Sequence, residues 1–425
     1  MERRKFIQQT SLLALATLAG SVHAAAANKK KPVILVVSGW QDVNIGDITH
    51  TPGLLTLLKQ KLPNAKVILW KKSDSEQVDN MLHKYFPDLR IVHGKFDKSF
   101  TLQSEELKQV FLEADFFIHG SGPSVVGADN IRCWRHHTKK SYGIFGVTIQ
   151  EIPNDLKELL LQASFIFTRE TASVDVLRKN GLAGDHISFA PDATFVLDIN
   201  DNKKANAFLN ENRLEARKFI CAIPRLRYTP YYKWASHAGW TDQRIKEVEA
   251  VNEKYKETDH AKLREAMIAW VRKTGNKVLV CPEMTYQVDI MEELLIDPLP
   301  ADVKPFVIKR GYWLPDEAAS VYAKAHTILS FECHSPIIAA ANGTPAFYLR
   351  QPTDTIKGQM YYDLGFENWV FEIDNTGGGQ IADKLMQVYD NYPVALQTVD
   401  KAIEMVNKRY DLSFDFIKKN YKIFS

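Results

Sequence analysis

The sequence predicts an α/β protein built from two Rossmann-like domains that face each other across a cleft. Short continuous apolar runs, such as residues 33–39, recur along the chain and suit parallel strands that are buried on both faces. Segments with apolar residues at helical spacing lie between these runs. About 400 residues follow the N-terminal leader, which is too many for one core and fits two domains.

Residues 1–26 have the features of a secretory signal peptide. A charged start is followed by a short apolar stretch over residues 11–20 and by small residues over 21–26. The apolar stretch is too short to span a bilayer. Arg3-Arg4-Lys5-Phe6-Ile7 resembles the twin-arginine pattern. We therefore predict an exported, periplasmic protein without a membrane span once the signal is cleaved; an ordinary Sec signal or an uncleaved anchor is the alternative.

The first Rossmann-like domain is predicted over residues 32–199. Helices are expected over residues 52–62 and 173–180. Apolar runs of strand length, each preceding a polar or glycine-containing turn or a helix, occur at residues 33–39, 67–70, 116–119, 142–149, 165–168 and 187–190.

The second Rossmann-like domain is predicted over residues 218–375, after a polar, helix-prone linker at 200–217. A helix is expected over residues 315–325, and the strands are predicted at residues 218–223, 278–281, 306–308, 327–331 and 346–349. Residues 376–425 are predicted to form helices that pack back across the domain junction. Two such domains facing across a cleft form a GT-B-like arrangement.

The strand at residues 327–331 indicates where a site lies. It ends at Glu332 and His334, two groups that can move protons. In open α/β sheets the ligand crevice lies at the carboxyl ends of the strands. Arg225 follows the first strand of the second domain and suits the binding of an anion through its forked guanidinium.

Several short motifs carry a resemblance to a known family. They are Asn44-Ile45-Gly46-Asp47, His119-Gly120-Ser121-Gly122, Arg169-Glu170-Thr171-Ala172-Ser173 and Pro191-Asp192-Ala193-Thr194-Phe195, followed by His334, Gly343-Thr344-Pro345 and Lys357. In this order they resemble the polysaccharide pyruvyl transferases, and the likeness covers most of the chain after the leader. The resemblance implies a GT-B-like fold and the transfer of pyruvyl from phosphoenolpyruvate to a polysaccharide or oligosaccharide as a ketal, without a further cofactor.

One motif departs from the family. Members usually have Arg-Leu-His where this chain has Glu332-Cys333-His334, so a positive charge is replaced by a negative one. A carboxylate at this position would repel phosphoenolpyruvate, and two unit charges about 4 Å apart interact by about 4 kcal/mol at an effective dielectric constant of 20.

The candidate site residues have distinct roles. His334 suits an acid that protonates the methylene carbon of the donor, because its ordinary pKa is near neutrality. The predicted substrate contacts are Arg225, Lys357, Arg169, His119, Ser121, Gly122, Asp47, Tyr228, Tyr232 and Trp234. The aromatic members suit stacking on sugar rings. Several of these residues have a structural alternative: a satisfied buried histidine for His334, a cap or ion pair for Arg169, a helix start or turn for Asp47, solvent exposure for Lys357, and loop anchoring for the aromatics.

The same residues are also compatible with two other functions. Glu332 and His334 lie two residues apart and would point to one side of an extended segment, where they could act as an acid–base pair in hydrolysis of a pyruvyl ketal or a glycosidic bond. A non-catalytic glycan-binding protein is the third reading. The formal net charge of +3 is spread without a long basic run, which excludes nucleic acid as an expected partner. The four cysteines show no C-x-x-C spacing, and His136-His137 has no third ligand at telling spacing, so no metal is predicted.

Overall fold

The computed structural model describes residues 31–234 and 239–424. The predicted signal peptide, residues 1–26, lies outside the described residues. Within them the chain forms two α/β units, each built on a parallel sheet, and this confirms the predicted fold class.

The first sheet has seven strands in the order β3-β2-β1-β4-β5-β6-β7. Each neighbouring pair is parallel, and Val36 of the central strand β1 pairs with Leu69 on one side and Ile118 on the other. The strands are β1 (Val33–Ser38), β2 (Lys66–Lys71), β3 (Arg90–Val92), β4 (Phe116–His119), β5 (Tyr142–Val147), β6 (Ile166–Thr168) and β7 (Ile187–Phe189). The strand order reverses between β1 and β4, which places a topological switch point there.

The second sheet has six parallel strands in the order β10-β9-β8-β11-β12-β13. The strands are β8 (Phe219–Ile223), β9 (Lys277–Val280), β10 (Val307–Lys309), β11 (Thr327–Ser330), β12 (Ala346–Arg350) and β13 (Val370–Glu372). Its switch point lies between β8 and β11, so the residues that follow these two strands border the expected crevice.

Helices connect the strands and form the C-terminal segment. They are α1 (Ile45–Lys61), α2 (Glu76–Tyr85), α3 (Glu105–Glu113), α4 (Ala128–Thr138), α5 (Asn154–Gln162), α6 (Thr171–Lys179), α7 (Asn202–Glu211), α8 (Asp242–Thr274), α9 (Gln287–Met291), α10 (Pro315–Tyr322), α11 (His334–Ala341), α12 (Gln359–Asp363), α13 (Gly378–Asp390) and α14 (Tyr392–Asn420). In the described part of the chain, no helix combines the length and the apolar character that a bilayer-spanning segment requires.

Helix α1 begins earlier than the sequence predicts. The side chain of Asn44 accepts hydrogen bonds from the backbone N–H groups of Gly46 and Asp47, so Asn44 is the N-cap. Pro52, where the helix was expected to begin, lies inside it. The Asn44-Ile45-Gly46-Asp47 motif therefore forms the cap and the first residues of the helix.

The predicted linker and the C-terminal segment are both helical. Residues 200–217 contain α7, and the backbone N–H of Asp201 donates to the carbonyl of Asp316 in the second unit at 2.9 Å. Helix α14 returns to the first unit, where the rings of Tyr410 and Phe414 pack against Phe145. The last helix therefore contacts the first unit, although it follows the second unit in the chain.

Backbone hydrogen bonds join the two units at the start of α1. The N–H of Ile45 donates to the carbonyl of Glu283 at 2.8 Å, and the N–H of Thr285 donates to the carbonyl of Val43 at 3.0 Å. The loop that precedes α1 and the loop that follows β9 are therefore fixed against each other.

Candidate active site at the domain junction

Strand ends from both sheets meet at the junction. Arg169 follows β6, Asp192 follows β7, Glu283 follows β9, and His334 follows β11. Helix α1 of the first unit supplies His50, and all five side chains are buried. The arrangement agrees with the rule that ligands bind at the carboxyl ends of parallel strands.

His334 is held from both units. Its Nε2 lies 2.9 Å from Nε2 of His50, and its Nδ1 lies 3.4 Å from Oε1 of Glu283 and 3.5 Å from Sγ of Cys333. Burial opposes the charged imidazolium, but the neighbouring Cys333 sulfur and Glu283 carboxylate outweigh burial and raise the pKa of His334 well above its usual value. His334 is therefore equipped to carry a proton at neutral pH.

Glu283 links His334 to its own helix. Its Oε2 accepts hydrogen bonds from the backbone N–H of Ser335 at 2.6 Å and from Oγ of Ser335 at 2.7 Å, at the N-terminus of α11. Its Oε1 has no hydrogen-bond partner and faces Nδ1 of His334. A carboxylate at a helix N-terminus is favoured by the helix dipole, so Glu283 is stably placed to orient the imidazole.

Asp192 and Arg169 border the other side of the histidine pair. Oδ2 of Asp192 lies 3.3 Å from Nε2 of His50 and 3.1 Å from Nη1 of Arg169. Burial would raise the pKa of Asp192, but the contacts with His50 and Arg169 outweigh burial and hold that pKa well below its usual range. Arg169 is fully buried, and its Nη1 lies 3.5 Å from Nε2 of His334. Arg169 is thus joined to the site through Asp192 and His334, and its contact with a substrate stays a prediction.

Gly46 permits the close approach of the two units. A Cβ on Gly46 would lie 2.5 Å from Nδ1 of His334 and 2.6 Å from Oε1 of Glu283. Real Cβ atoms do not tolerate such distances, so the motif glycine is required by packing against the imidazole.

A second group of charges lies around Arg225. Its Nη1 contacts Oδ1 of Asp354 at 2.6 Å, and its Nε lies 3.4 Å from Oε2 of Glu332. Lys357 lies 3.9 Å from the same Asp354 carboxylate, and Gln287 donates to Oε1 of Glu332 at 2.7 Å. Two cations are balanced by two carboxylates, and Lys357 is therefore not a freely solvated side chain.

Glu332 is a buried carboxyl group with a raised pKa. Burial raises its pKa to about 7, Arg225 acts in the opposite direction, and the Glu283 carboxylate adds to the increase. The effect of burial on the pKa of Glu332 thus exceeds the opposing effect of the ion pair with Arg225. Glu332 is therefore about half protonated at pH 7.

Glu332 and His334 do not lie on one side of an extended segment, so that prediction was wrong. Cys333 between them has an αR backbone conformation, and α11 begins at His334. Glu332 turns toward Gln287 and Arg225, whereas His334 turns toward His50 and Glu283. The two side chains have separate partners, although both follow the same strand.

The glycine-containing turn after β4 has mainly structural contacts. His119 is fully buried, its Nε2 accepts the N–H of Gly127 at 2.9 Å, and its ring centroid lies 5.1 Å from that of Trp40. Burial lowers the pKa of His119 to about 4, so the ring is neutral. The Ser121 side chain is also fully buried, and Gly122 pairs with Val147 of β5. The buried His119 and Ser121 side chains are not presented to a substrate as the sequence predicted.

The aromatic loop after β8 divides into two parts. Tyr228 and Tyr232 face α8: the backbone N–H of Tyr228 donates to Asn252, and the hydroxyl of Tyr232 donates to Glu249. Trp234 instead packs against Tyr286, with ring centroids 6.3 Å apart. Because Tyr286 interacts electrostatically with Glu332, Trp234 is the predicted aromatic residue whose contacts lead toward the charged group.

Asp47, His50 and His334 place ligating atoms within 4.8 Å of one another, which is close enough for a metal ion. Asp47 accepts a hydrogen bond from Gln41 and borders the site. The Arg169 guanidinium lies 3.5 Å from Nε2 of His334, so a metal ion there would be repelled by a fixed positive charge. We assign no metal to this group.

The sequence model of the polysaccharide pyruvyl transferase family matches residues 44–351. The chain belongs to this family. The match begins at the N-cap of α1 and includes Arg169, Asp192 and His334. Family membership and fold together make the protein a glycan-modifying transferase.

Solved structures share the fold of this pyruvyl transferase family member. It is 12% identical to UDP-GlcNAc 2-epimerase from Neisseria meningitidis bound to UDP-GlcNAc, with a TM-score of 0.56 over 91% of this chain and 100% of that chain. For the MnaA–UDP complex of S. aureus the identity is 10% and the TM-score is 0.55, over 88% and 94% of the chains. For a glycosyltransferase from Rickettsia africae the identity is 12% and the TM-score is 0.56, over 93% and 98%. No match is found among curated proteins.

Four residues of the site were not among the predicted site residues. One of them, Asp192, belongs to a motif that carried the family resemblance. His50 lies three positions after Asp47, which is a same-face spacing once the helix is known to begin at Ile45. Glu283 comes shortly after β9, so the strand-end rule applied to Arg225 would have identified it. Asp354 follows β12 and lies beyond the part of the chain that the family match covers.

Proposed function

We propose that this family member transfers a pyruvyl group from phosphoenolpyruvate to two hydroxyl groups of a polysaccharide or oligosaccharide, forming a ketal. The observation that carries the proposal is the environment of His334. The imidazole follows β11 at the junction of both units, and its pKa is raised well above its usual value. A general acid that is charged at neutral pH is the group that protonation of an enol carbon requires.

The chemistry has a simple proton balance. His334 gives a proton to the methylene carbon of the donor, and one acceptor hydroxyl oxygen bonds to the adjacent carbon while its own proton leaves. The second hydroxyl oxygen then bonds to the same carbon as the bond from that carbon to the phosphate oxygen breaks. One hydroxyl proton returns to the acid and the other leaves with the phosphate, so the enzyme ends the cycle unchanged.

Arg225 and Lys357 are the proposed contacts for the anionic donor. Both are already balanced by Asp354, and Arg225 is also contacted by Glu332. A bound donor carboxylate or phosphate would replace the contact between Arg225 and Glu332. Since the pKa of Glu332 is raised to about 7, uptake of one proton removes the repulsive charge and allows this exchange.

The test is incubation of the purified protein with phosphoenolpyruvate and a panel of glycans. Phosphate release together with formation of a pyruvyl ketal on a glycan is the expected result, and His334→Gln should abolish both. A His119→Gln variant is the matched control, because His119 is an equally buried histidine with a structural contact. Glycan binding with neither phosphate nor pyruvate release would contradict any catalytic proposal.

A second candidate is hydrolysis of a pyruvyl ketal, and one observation favours it. Glu332 is a buried acid with a pKa of about 7 beside the cleft arginine, and ketal cleavage requires an acid and water but no anionic donor. The same incubation separates the two reactions, because hydrolysis releases pyruvate from a pyruvylated glycan without any phosphate.

We also propose that the protein is exported through its N-terminal leader. Phosphoenolpyruvate is a cytoplasmic metabolite, so the location of the mature protein bears directly on the choice between the two reactions. Fractionation of cells that express the full chain is the measurement. Recovery in the periplasm is the expected result of export, and transfer there would require a supply of phosphoenolpyruvate outside the cytoplasm. Recovery in the cytoplasm would contradict export.

A further inference from the structure

His50 is the residue of the junction that the predicted chemistry did not use. It lies on α1 and is 1% exposed. Its ring stands edge-on to that of His334, with centroids 4.7 Å apart and an interplanar angle of 76°. The two Nε2 atoms are 2.9 Å apart, a normal hydrogen-bond distance. A proton must therefore lie between the two nitrogen atoms, because two lone pairs at this distance would repel each other.

The charges around the pair favour one additional proton. Three carboxylates face the two rings, from Asp47 on α1, Asp192 after β7 and Glu283 after β9. Arg169 supplies one fixed positive charge. The titratable and charged groups that face the pair are Asp47, Arg169, Asp192, Glu283 and Cys333. Tyr410 on α14 donates a hydrogen bond to the backbone carbonyl of Asp192. Two neutral imidazoles would leave a net negative buried cluster, which is costly.

Either ring can hold this proton. Asp192 lies 3.3 Å from Nε2 of His50 and stabilises a proton on that atom. Glu283 lies 3.4 Å from Nδ1 of His334 and stabilises the doubly protonated form of that ring. Each imidazole thus has its own carboxylate, and the direct N–H···N contact joins them.

We propose that His50 is a positioning residue that shares one proton with His334 and restores it in each reaction cycle. His334 donates its proton to the donor carbon, and the proton released by the first acceptor hydroxyl returns to the pair. One proton leaves the pair and one enters, so the pair is ready for the next cycle. The kinetic part of this inference rests on the proposed function.

The first test is the pH dependence of turnover in His50→Gln. Glutamine can keep hydrogen bonds to Asp192 and His334 but cannot take up a proton. We expect a tenfold or larger loss of kcat, and we expect the alkaline loss of activity to move about one pH unit lower. KM for the donor should stay unchanged. If His50→Gln has the same pH profile as the wild type, His50 has only a structural role and the proposal is overturned.

The matched control is His119→Gln, a substitution of another fully buried histidine in the same unit. It should lower the melting temperature without moving the pH profile. A pH shift of equal size in this control would contradict a specific role for His50.

The second test does not depend on turnover. Nitrogen-15 labelling of histidine and NMR titration should show the rings of His50 and His334 changing together with pH, with assignments from the single His→Gln variants. Independent titration of the two rings would overturn proton sharing, even if the protein is active. If the rings titrate together but no phosphate is released, the shared proton stands and the proposed function fails. Metal analysis gives a further check: a stoichiometric metal ion that is lost in His50→Gln would also overturn the proposal.

Discussion

Replacing Glu332 with glutamine should improve the use of phosphoenolpyruvate above pH 7. Glu332 contacts Nε of Arg225 at 3.4 Å, and burial raises its pKa to about 7. An ionised Glu332 about 4 Å from a donor anion would cost about 4 kcal/mol at an effective dielectric constant of 20. Protonating Glu332 at pH 8 costs only about 1.4 kcal/mol, one pH unit above its pKa. The donor should therefore bind to the form in which Glu332 is protonated.

This comparison sets the size of the effect. The fraction of protein with protonated Glu332 falls about tenfold per pH unit above pH 7. Glu332→Gln should therefore lower KM for phosphoenolpyruvate about tenfold at pH 8 and about twofold at pH 7, with little change at pH 6. The assay is steady-state phosphate release with a saturating glycan. The ratio of the two KM values at each pH cancels the ionisation of the donor itself.

An unchanged or higher KM for the variant at pH 8 would refute the reasoning. Loss of all activity on pyruvylated glycans in the same variant would favour the hydrolase reading, in which Glu332 is the acid. Melting temperatures provide a control for the raised pKa. A raised carboxyl pKa gives stability that is fully present below the unfolded pKa and is lost as the pH rises through about 7. The melting temperature of Glu332→Gln minus that of the wild type should therefore be more positive at pH 8 than at pH 4.

Three further predictions concern the cleft. Arg225→Gln should raise KM for phosphoenolpyruvate tenfold to a hundredfold by removing a charged hydrogen-bond donor. The control is Arg227→Gln, which breaks the 2.8 Å ion pair of a neighbouring buried arginine with Asp259 and should lower stability but leave KM unchanged. Equal effects of the two variants on KM would contradict the anion site. Gly46→Ala should reduce kcat about a hundredfold because its Cβ would lie 2.5 Å from the catalytic imidazole, whereas Gly379→Ala, with open space around its Cβ, should have little effect on activity. Trp234→Ala should raise KM for the glycan and leave KM for the donor unchanged; a donor effect alone would place the aromatic ring outside the acceptor site.

The sequence predicted the central strands well because these strands are buried on both faces. β1 and β8 read as continuous apolar runs, and the structure buries every residue in them. The strands that were missed are β3 and β13, which have three residues each and lie at the edges of their sheets. An edge strand with a charged residue, such as Arg90 in β3 or Glu372 in β13, carries too weak an apolar signal.

The site was predictable where one strand end was sufficient evidence. Arg225 and His334 each follow a central strand of the second sheet, so the strand-end rule found both. His50 was missed because the helix was expected to begin at Pro52, which hid the same-face spacing of His50 with Asp47. The contact between His50 and His334 spans 284 positions, and it depends on how the two units pack, which local sequence patterns do not specify.

The charge reversal at Glu332 has a structural reason that the sequence alone did not reveal. Arg225 is mostly buried, and a buried guanidinium without a partner is costly. In this chain ionised Glu332 and Asp354 balance Arg225 and Lys357, so above pH 7, where Glu332 is mostly ionised, the site is neutral without a donor. Under the proposed function, Glu332 holds the position at Arg225 that an anionic donor takes, and binding becomes an exchange of one anion for another. Because the pKa of Glu332 is raised to about 7, a proton decides this exchange, and donor affinity should follow pH where an arginine at the same position would leave it constant.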